Sequence, residues 1–492
     1  MAFNSRVSLA ALILGATLSM VNFSYDAGMI NQLLLSVHFF EYFQLDSTWI
    51  GLNVAIVNVG NLVASPIVGP LMDWVGRKKA IWFSNVLALI GVAIQASAQN
   101  IGMFLAGRAI LGFALGISGV CGPTLVAETT PGRLFAITTN ASMLGLPLVG
   151  LMVSAGGIGI YQSDSDWGWR GAILGEAIGP LLSSLFLLLA FESPRWLLFK
   201  NRTEEARHVL EKMNSLPPGP EREAVIQAEY DEMAQTIEYE SQTDESVRAL
   251  VAKPSDRRRF GIAILTNIFY QTSGANTLPY FFTLVLNSIG ISETYTVLYL
   301  NIGLTAFGAA SVASGLWITH RFGSKTIMIA NTSIMSICLA LLAIFTGLGL
   351  DKGLGQGALA ATFIFWWASC SCWLILEYTY PVEILRFSLR GKGTALAQMI
   401  GYAFQLTLNY TLPMALDTIG WKFYLINAIW DAGIVIAIWF IFVEIKGRTL
   451  EEVDALFDGD VHFYSTQNIE VIHGAGKESS GSDSKEGEEV KC

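Results

Sequence analysis

The sequence predicts an all-α integral membrane protein of twelve transmembrane helices in two pseudo-symmetric halves of six. Three observations carry that prediction. Hydrophobic residues make up 52% of the chain and charged residues only 14%, against roughly 25% charged in a soluble domain. Apolar runs long enough to cross about 30 Å of hydrocarbon recur down the whole chain. Basic residues crowd alternate connections between those runs, as they do when alternate loops face the cytoplasm.

Taken in order, the spans fall near 7–34, 49–72, 80–98, 103–126, 134–159 and 171–191, then 260–287, 294–318, 326–349, 356–382, 393–416 and 421–443. The first stands behind a single Arg6 and is followed by many more, so it reads as a retained helix rather than a cleaved signal. Arg77, Lys78, Lys79, Arg133, Arg195, Lys200, Arg321, Lys325, Arg386, Arg390 and Lys392 lie in even-numbered connections. Glu41, Asp46, Asp164, Asp166, Glu293 and Asp351 lie in odd-numbered ones. Both termini and the even loops are therefore expected in the cytoplasm.

The chain divides into a six-helix half over 1–191, a cytoplasmic helical linker over 192–259, a second six-helix half over 260–457 and a disordered tail over 458–492. In the linker, Thr203 can cap a helix whose Ala206, Val209, Leu210 and Met213 share a face, and Pro217, Pro218 and Pro220 end it. The tail is rich in Gly, Ser, Glu and Lys and cannot bury a core. A repeat offset of roughly 250 residues supports two related halves. Asp73-Trp-Val-Gly76-Arg77-Lys78 answers to His320-Arg-Phe-Gly323-Ser-Lys325, Glu128 to Glu383, and the run at Glu192 to that at Glu444. Parallel halves of this kind put a solute site between them near the bilayer midplane.

The net charge of −10 gathers in the linker and tail and does not define a partner. Cys121, Cys338, Cys370, Cys372 and Cys492 have no metal-ligand spacing and read mostly as small apolar fillers. Neither a phosphate-binding loop nor a nucleophile with its base is present, so ATP hydrolysis, enzymatic chemistry and a cofactor are not expected. Asp26 and Arg108 are different in kind, being ionisable residues inside spans, where charge is expensive. Counted from the outer ends of spans one and four, both sit roughly 10 Å deep, so they can pair. Such a pair is either functional or a permanent bridge that fixes packing.

Four motifs fall in order along nearly the whole chain. They are Gly69-Pro-Leu-Met-Asp73-Trp-Val-Gly76-Arg77-Lys78-Lys79, Glu192-Ser-Pro-Arg195-Trp196, Gln271-Thr-Ser-Gly274-Ala-Asn276 with Tyr280, and Tyr380-Pro-Val-Glu383-Ile with Arg390-Gly-Lys-Gly393. Together they resemble the sugar-porter branch of the major facilitator superfamily, and in particular its fungal lactose and hexose permeases. The resemblance implies proton-coupled symport of a mono- or disaccharide by alternating access, with Asp26 and Arg108 as the proton switch. It implies an inner gate built from Asp73, Gly76, Arg77, Glu128, Arg195, Glu383, Arg390, Glu444 and Arg448. Topology alone also places basic residues there.

Gln271, Asn276 and Tyr280 form the implied sugar stretch, with Asn301, Tyr378, Gln405 and Asn409 as further polar candidates in apolar spans. Amides donate and accept as sugar hydroxyls require, and Trp366, Trp367 or Trp373 could cover a pyranose face. Amides also hold membrane helices together. The chain departs from the pattern at Phe135-Ala136, Met143, Tyr270 and His320, changes that bear on the solute and leave the fold intact. Asp431 and Glu377 match no family role. The expected partners are a sugar-like solute, a proton and the lipid bilayer, with no nucleic acid, for a monomer in the plasma membrane. A carrier of another metabolite and a non-transporting sugar sensor are the alternatives.

Overall fold

A computed structural model describes residues 5–129, 132–163, 165–214, 219–242, 248–275, 278–348, 352–386, 389–446 and 456–457. Residues up to Gly447 form one compact unit. Helices occupy all twelve expected spans, and no strand occurs among the described residues. The first six are α1 (Ser5–Leu33), α2 (Ser47–Val75), α3 (Arg77–Ala96), α4 (Ile101–Thr129), α5 (Gly132–Gln162) and α6, which runs as Trp167–Gly175 and Ile178–Leu189. The next are α7, in two pieces at Pro254–Thr272 and Leu278–Ser288, α8 (Thr294–Arg321) and α9 (Ser324–Gly347). The last are α10, which is α-helical over Lys352–Ala368 and Leu374–Ile384 with a π-helical turn at Ser369–Trp373 between, α11 (Arg390–Ile419) and α12 (Lys422–Ile441).

Ten of these are long and apolar enough to cross a bilayer as they stand. The other two are α7 and α11, and both departures have a local cause. Gly274, with φ of +82°, interrupts α7, and only glycine adopts that backbone without strain. Polar side chains such as Gln405 and Asn409 dilute the apolar run of α11.

Helix ends follow the local chemistry. The Asp46 carboxylate accepts from the Trp49 N–H at 2.8 Å and opens α2, and Pro254 opens α7 at a position where its missing N–H costs nothing. Between α2 and α4 the backbones meet directly. A Cβ on Gly112 would lie 2.1 Å from the Val57 carbonyl oxygen, so only glycine permits this approach.

Between α6 and α7, the polar segment carries helices at Thr203–Met213 and Pro220–Gln242, with short ones at Pro194–Phe199 and Ala249–Ala252. Ala206, Val209 and Leu210 are its buried face, as the spacing predicts. The sequence repeat has a structural counterpart at the two short turns α2–α3 and α8–α9. Glu192 receives the Lys78 N–H at 3.0 Å and stands where a Cβ on Gly76 would reach, 2.5 Å away. Glu444 takes the same place against Gly323 and receives the Thr326 N–H at 3.4 Å. Lys78 Nζ donates to the Ala190 carbonyl and Lys325 Nζ to that of Trp439.

Candidate functional site

Asp26 on α1 and Arg108 on α4 are fully buried and meet face to face. Nη1 of Arg108 donates to Asp26 Oδ1 at 2.8 Å and Nη2 to Oδ2 at 3.2 Å. Its Nε donates to the Asn53 carbonyl at 2.7 Å, which ties the guanidinium to α2 as well. The fork of an arginine matches a carboxylate in this two-bond geometry. A third ionisable group completes the cluster: Glu176, at the break in α6, is fully buried and feels the charges of both Asp26 and Arg108. Neither of its oxygens has a hydrogen-bond partner among the described residues. Sequence reasoning passed over Glu176, although the rule that marks an acid inside an apolar span applies to it as it does to Asp26.

Beside this cluster, the next residues of α1, Ala27 and Gly28, line a cavity of about 130 Å³. Its wall includes Asn31 of α1, Ser154 of α5, Tyr270 of α7, Asn301 and Thr305 of α8 and Trp366 of α10. Asn31 Nδ2 donates to Asn301 Oδ1, and its own Oδ1 receives the Thr283 N–H at 3.1 Å. Thr305 Oγ1 donates to Ser154 Oγ at 3.4 Å. Trp366 Nε1 has no partner among the described residues. Toward the end of the bundle away from the 192–259 segment, Ser47 bonds Asp417 and the rings of Tyr161 and Tyr295 meet edge to face at 5.4 Å.

The other expected binding residues are distributed differently. Asn301 lines the cavity, whereas Gln271 turns to Glu377 and donates its Nε2 to Oε1 at 3.1 Å. Asn409 and Gln405 are buried on α11, with all four amide atoms unpartnered among the described residues, and Tyr378 is exposed. Asn276 and the side chains of Tyr280, Met143 and Arg133 lie outside the described residues, as does Arg448. Asp431 is fully buried with neither oxygen partnered among them.

At the linker end, Arg77 pairs with Glu128 at 3.0 Å and with Asp73 at 3.6 Å, while Ser193 donates to Glu128. Trp196 Nε1 reaches the Asp73 carbonyl at 3.1 Å. Burial pushes the Glu192 carboxyl above the usual carboxylate range, opposed by the N–H groups of Lys78 and Ser193 and by the nearby Arg77. In the second set, Glu383 feels the charge of Arg390, and Arg386 pairs with the buried Asp256 at 2.8 Å. That last pair, 130 positions apart in the chain, has no signature in the local pattern.

Twelve helices around a largely apolar cavity with a few polar side chains in its wall, and a buried ion pair beside it, define a membrane transporter. The family model for the sugar (and other) transporters matches residues 12–457, and the chain belongs to that family. Among curated relatives, an MFS-type transporter, criB, of Aspergillus cristatus is 26% identical over 89% of this chain and 90% of its own. A D-xylose transporter of Levilactobacillus brevis is 26% identical over 92% and 96%. Among solved structures, the xylose transporter XylE from E. coli in its inward open conformation superposes with a TM-score of 0.75 at 21% identity, over 92% of this chain and all of that one. The fold is that of the major facilitator superfamily.

Proposed function

We propose that this transporter couples the entry of a proton to that of a polyhydroxylated solute by alternating access. The observation that carries the reading is the buried cluster of one guanidinium and two carboxyls, Asp26, Arg108 and Glu176, beside the cavity. One cation and two ionised acids, all fully buried, leave one excess negative charge, which a single proton cancels. Its arrival loosens the hold of Arg108 on one carboxyl and so favours a different packing of α1, α4 and α6. The solute lies in the cavity against Asn301, Asn31 and Trp366. Arg77 with Asp73 and Glu128, Arg195, and Glu383 with Arg390 serve as the inner gate, with Gly76 and Glu444 in the turns beneath it.

The alternation of basic loops supports cytoplasmic termini and a cytoplasmic 192–259 segment. The carrier then works as a monomer in the plasma membrane, with two six-helix halves, 1–191 and 260–457, as its moving parts. On that assignment the contacts Ser47 to Asp417 and Asn31 to Asn301 join the outer side, the arrangement of a carrier closed to the exterior. Names of relatives that denote D-xylose transport support a sugar-like solute. Counterflow of radiolabelled pentoses, hexoses and disaccharides in vesicles tests the reading. Exchange of at least one member is the expected result, and exchange of none overturns it. A maleimide that cannot cross membranes should label Ser241→Cys only after the cells are opened.

A further inference from the structure

A second buried carboxyl site lies behind the wall of the same cavity, and no cation pairs with it among the described residues. Glu377 of α10 is 3% exposed. Its Oε1 receives Nε2 of Gln271 at 3.1 Å, and its Oε2 has no partner among the described residues. The phenol of Tyr402 on α11 is a further electrostatic neighbour.

Two amides belong to the same layer. A Cβ on Gly401 of α11 would stand 3.0 Å from Asn267 of α7. Both helices run outward from the linker end, so one turn on from that contact Gln405 comes level with Gln271. Asn409, a further turn along the same buried stripe, is 0% exposed and Gln405 is 1% exposed. The oxygen and nitrogen of both amides are without partners among the described residues. The layer adjoins the cavity, since Tyr270 and Leu374 on its wall are the chain neighbour of Gln271 and the residue one turn from Glu377.

Buried polar atoms are nearly always bonded, and a buried charge is nearly always paired. A ligand that supplied only a proton would neutralise Glu377 and leave both amides empty. A neutral polyol would fill the amides and leave the carboxylate without a counter-charge. A single ligand that carries both a cation and hydroxyls serves all three groups at once, without a separate proton on Glu377. The geometry points to a polyhydroxylated solute bearing a protonated amine, its ammonium on Glu377 and its hydroxyls on Gln271, Gln405 and Asn409. This rests on the proposed polyhydroxylated solute and narrows its class. Glu377 is then a specificity-determining residue, and the departures at Tyr270 and Met143 accompany the change of solute.

The test uses the full chain, purified and reconstituted, with D-glucosamine, N-acetyl-D-glucosamine and D-glucose as competitors in counterflow and as ligands in thermal-shift titration at neutral pH. D-glucosamine should bind about tenfold or more tighter than the two neutral probes, as a charge-assisted bond requires. Glu377→Gln, which keeps the bond to Gln271, should reduce that preference to about one, and Glu377→Asp should retain part of it. Equal affinity of the wild type for all three probes overturns the inference, as does a preference that survives E377Q. The wild-type comparison decides even where a variant does not fold. Binding of no probe, charged or neutral, removes instead the polyhydroxylated solute itself.

Discussion

The helices before the linker and those after it are built alike at their ends and differently at their centres. Both sets close a short turn with a carboxylate, Glu192 against Gly76 and Glu444 against Gly323, and brace it with a lysine on a helix carbonyl. In the centre of the first set, Asp26 bonds a guanidinium that is also held to α2, and Glu176 feels its charge. In the centre of the second, an amide and a phenol neighbour Glu377, and Asp431 has no hydrogen-bond partner among the described residues. A duplicated frame thus carries two chemistries. The first centre holds its own cation and lacks one proton, whereas the second, on the inference above, takes its cation from the solute.

The largest effect that sharpens this contrast is expected from Arg108→Ala. It leaves two buried carboxyls without their cation and should cost about 3 to 5 kcal/mol, seen as a lowered melting temperature of the purified protein. Glu377→Gln removes a carboxylate that has no such partner and should cost far less. Equal losses in the two variants would break the distinction between the centres.

A smaller difference is expected between the two turns. Gly76 has φ of +96° and Gly323 has φ of −72°. Gly76→Ala should therefore cost about 1 to 3 kcal/mol in backbone strain, besides the clash with Glu192. Gly323→Ala meets only the end of the Glu444 side chain, which can move. If both substitutions lower the melting temperature equally, the carboxylate contact and not the backbone sets the cost. Asn301→Ala is the mildest of the three. Loss of its bond to Asn31 and of one cavity amide should change binding or stability by about 0.5 to 1.5 kcal/mol, raising the half-saturation constant severalfold in uptake assays.

Much of this was legible in one sequence, because the bilayer imposes a length and a charge rule on every span. The depth count that set Asp26 level with Arg108 needed only the rise per residue, and the two residues do meet. The repeat at Gly76 and Gly323 was readable because a turn that receives a carboxylate excludes larger side chains. The partner of Gln271 was not, since the residue facing a helix from 106 positions away follows from packing and not from local pattern. Gln271 had matched a sugar-binding motif, and the structure bonds it to an acid that the motif does not contain. The break of α7 at Gly274 was also hidden, as an isolated glycine in an apolar run signals a kink only when its φ is known.

The central claim is that proton movement belongs to the first centre. Its most direct test is alkalinisation of a weakly buffered suspension of cells on addition of D-glucose or D-glucosamine, compared between wild type, Asp26→Asn and Glu377→Gln. Asn keeps the shape and hydrogen bonding of a protonated Asp but cannot cycle its charge. The account predicts that the wild type takes up protons with the solute, and that Asp26→Asn takes up none while still exchanging solute across an equilibrated membrane. It predicts that Glu377→Gln still moves a proton with each solute molecule that enters. A wild type that moves no protons, or an Asp26→Asn variant that still concentrates solute, would contradict it and turn attention to Asp431.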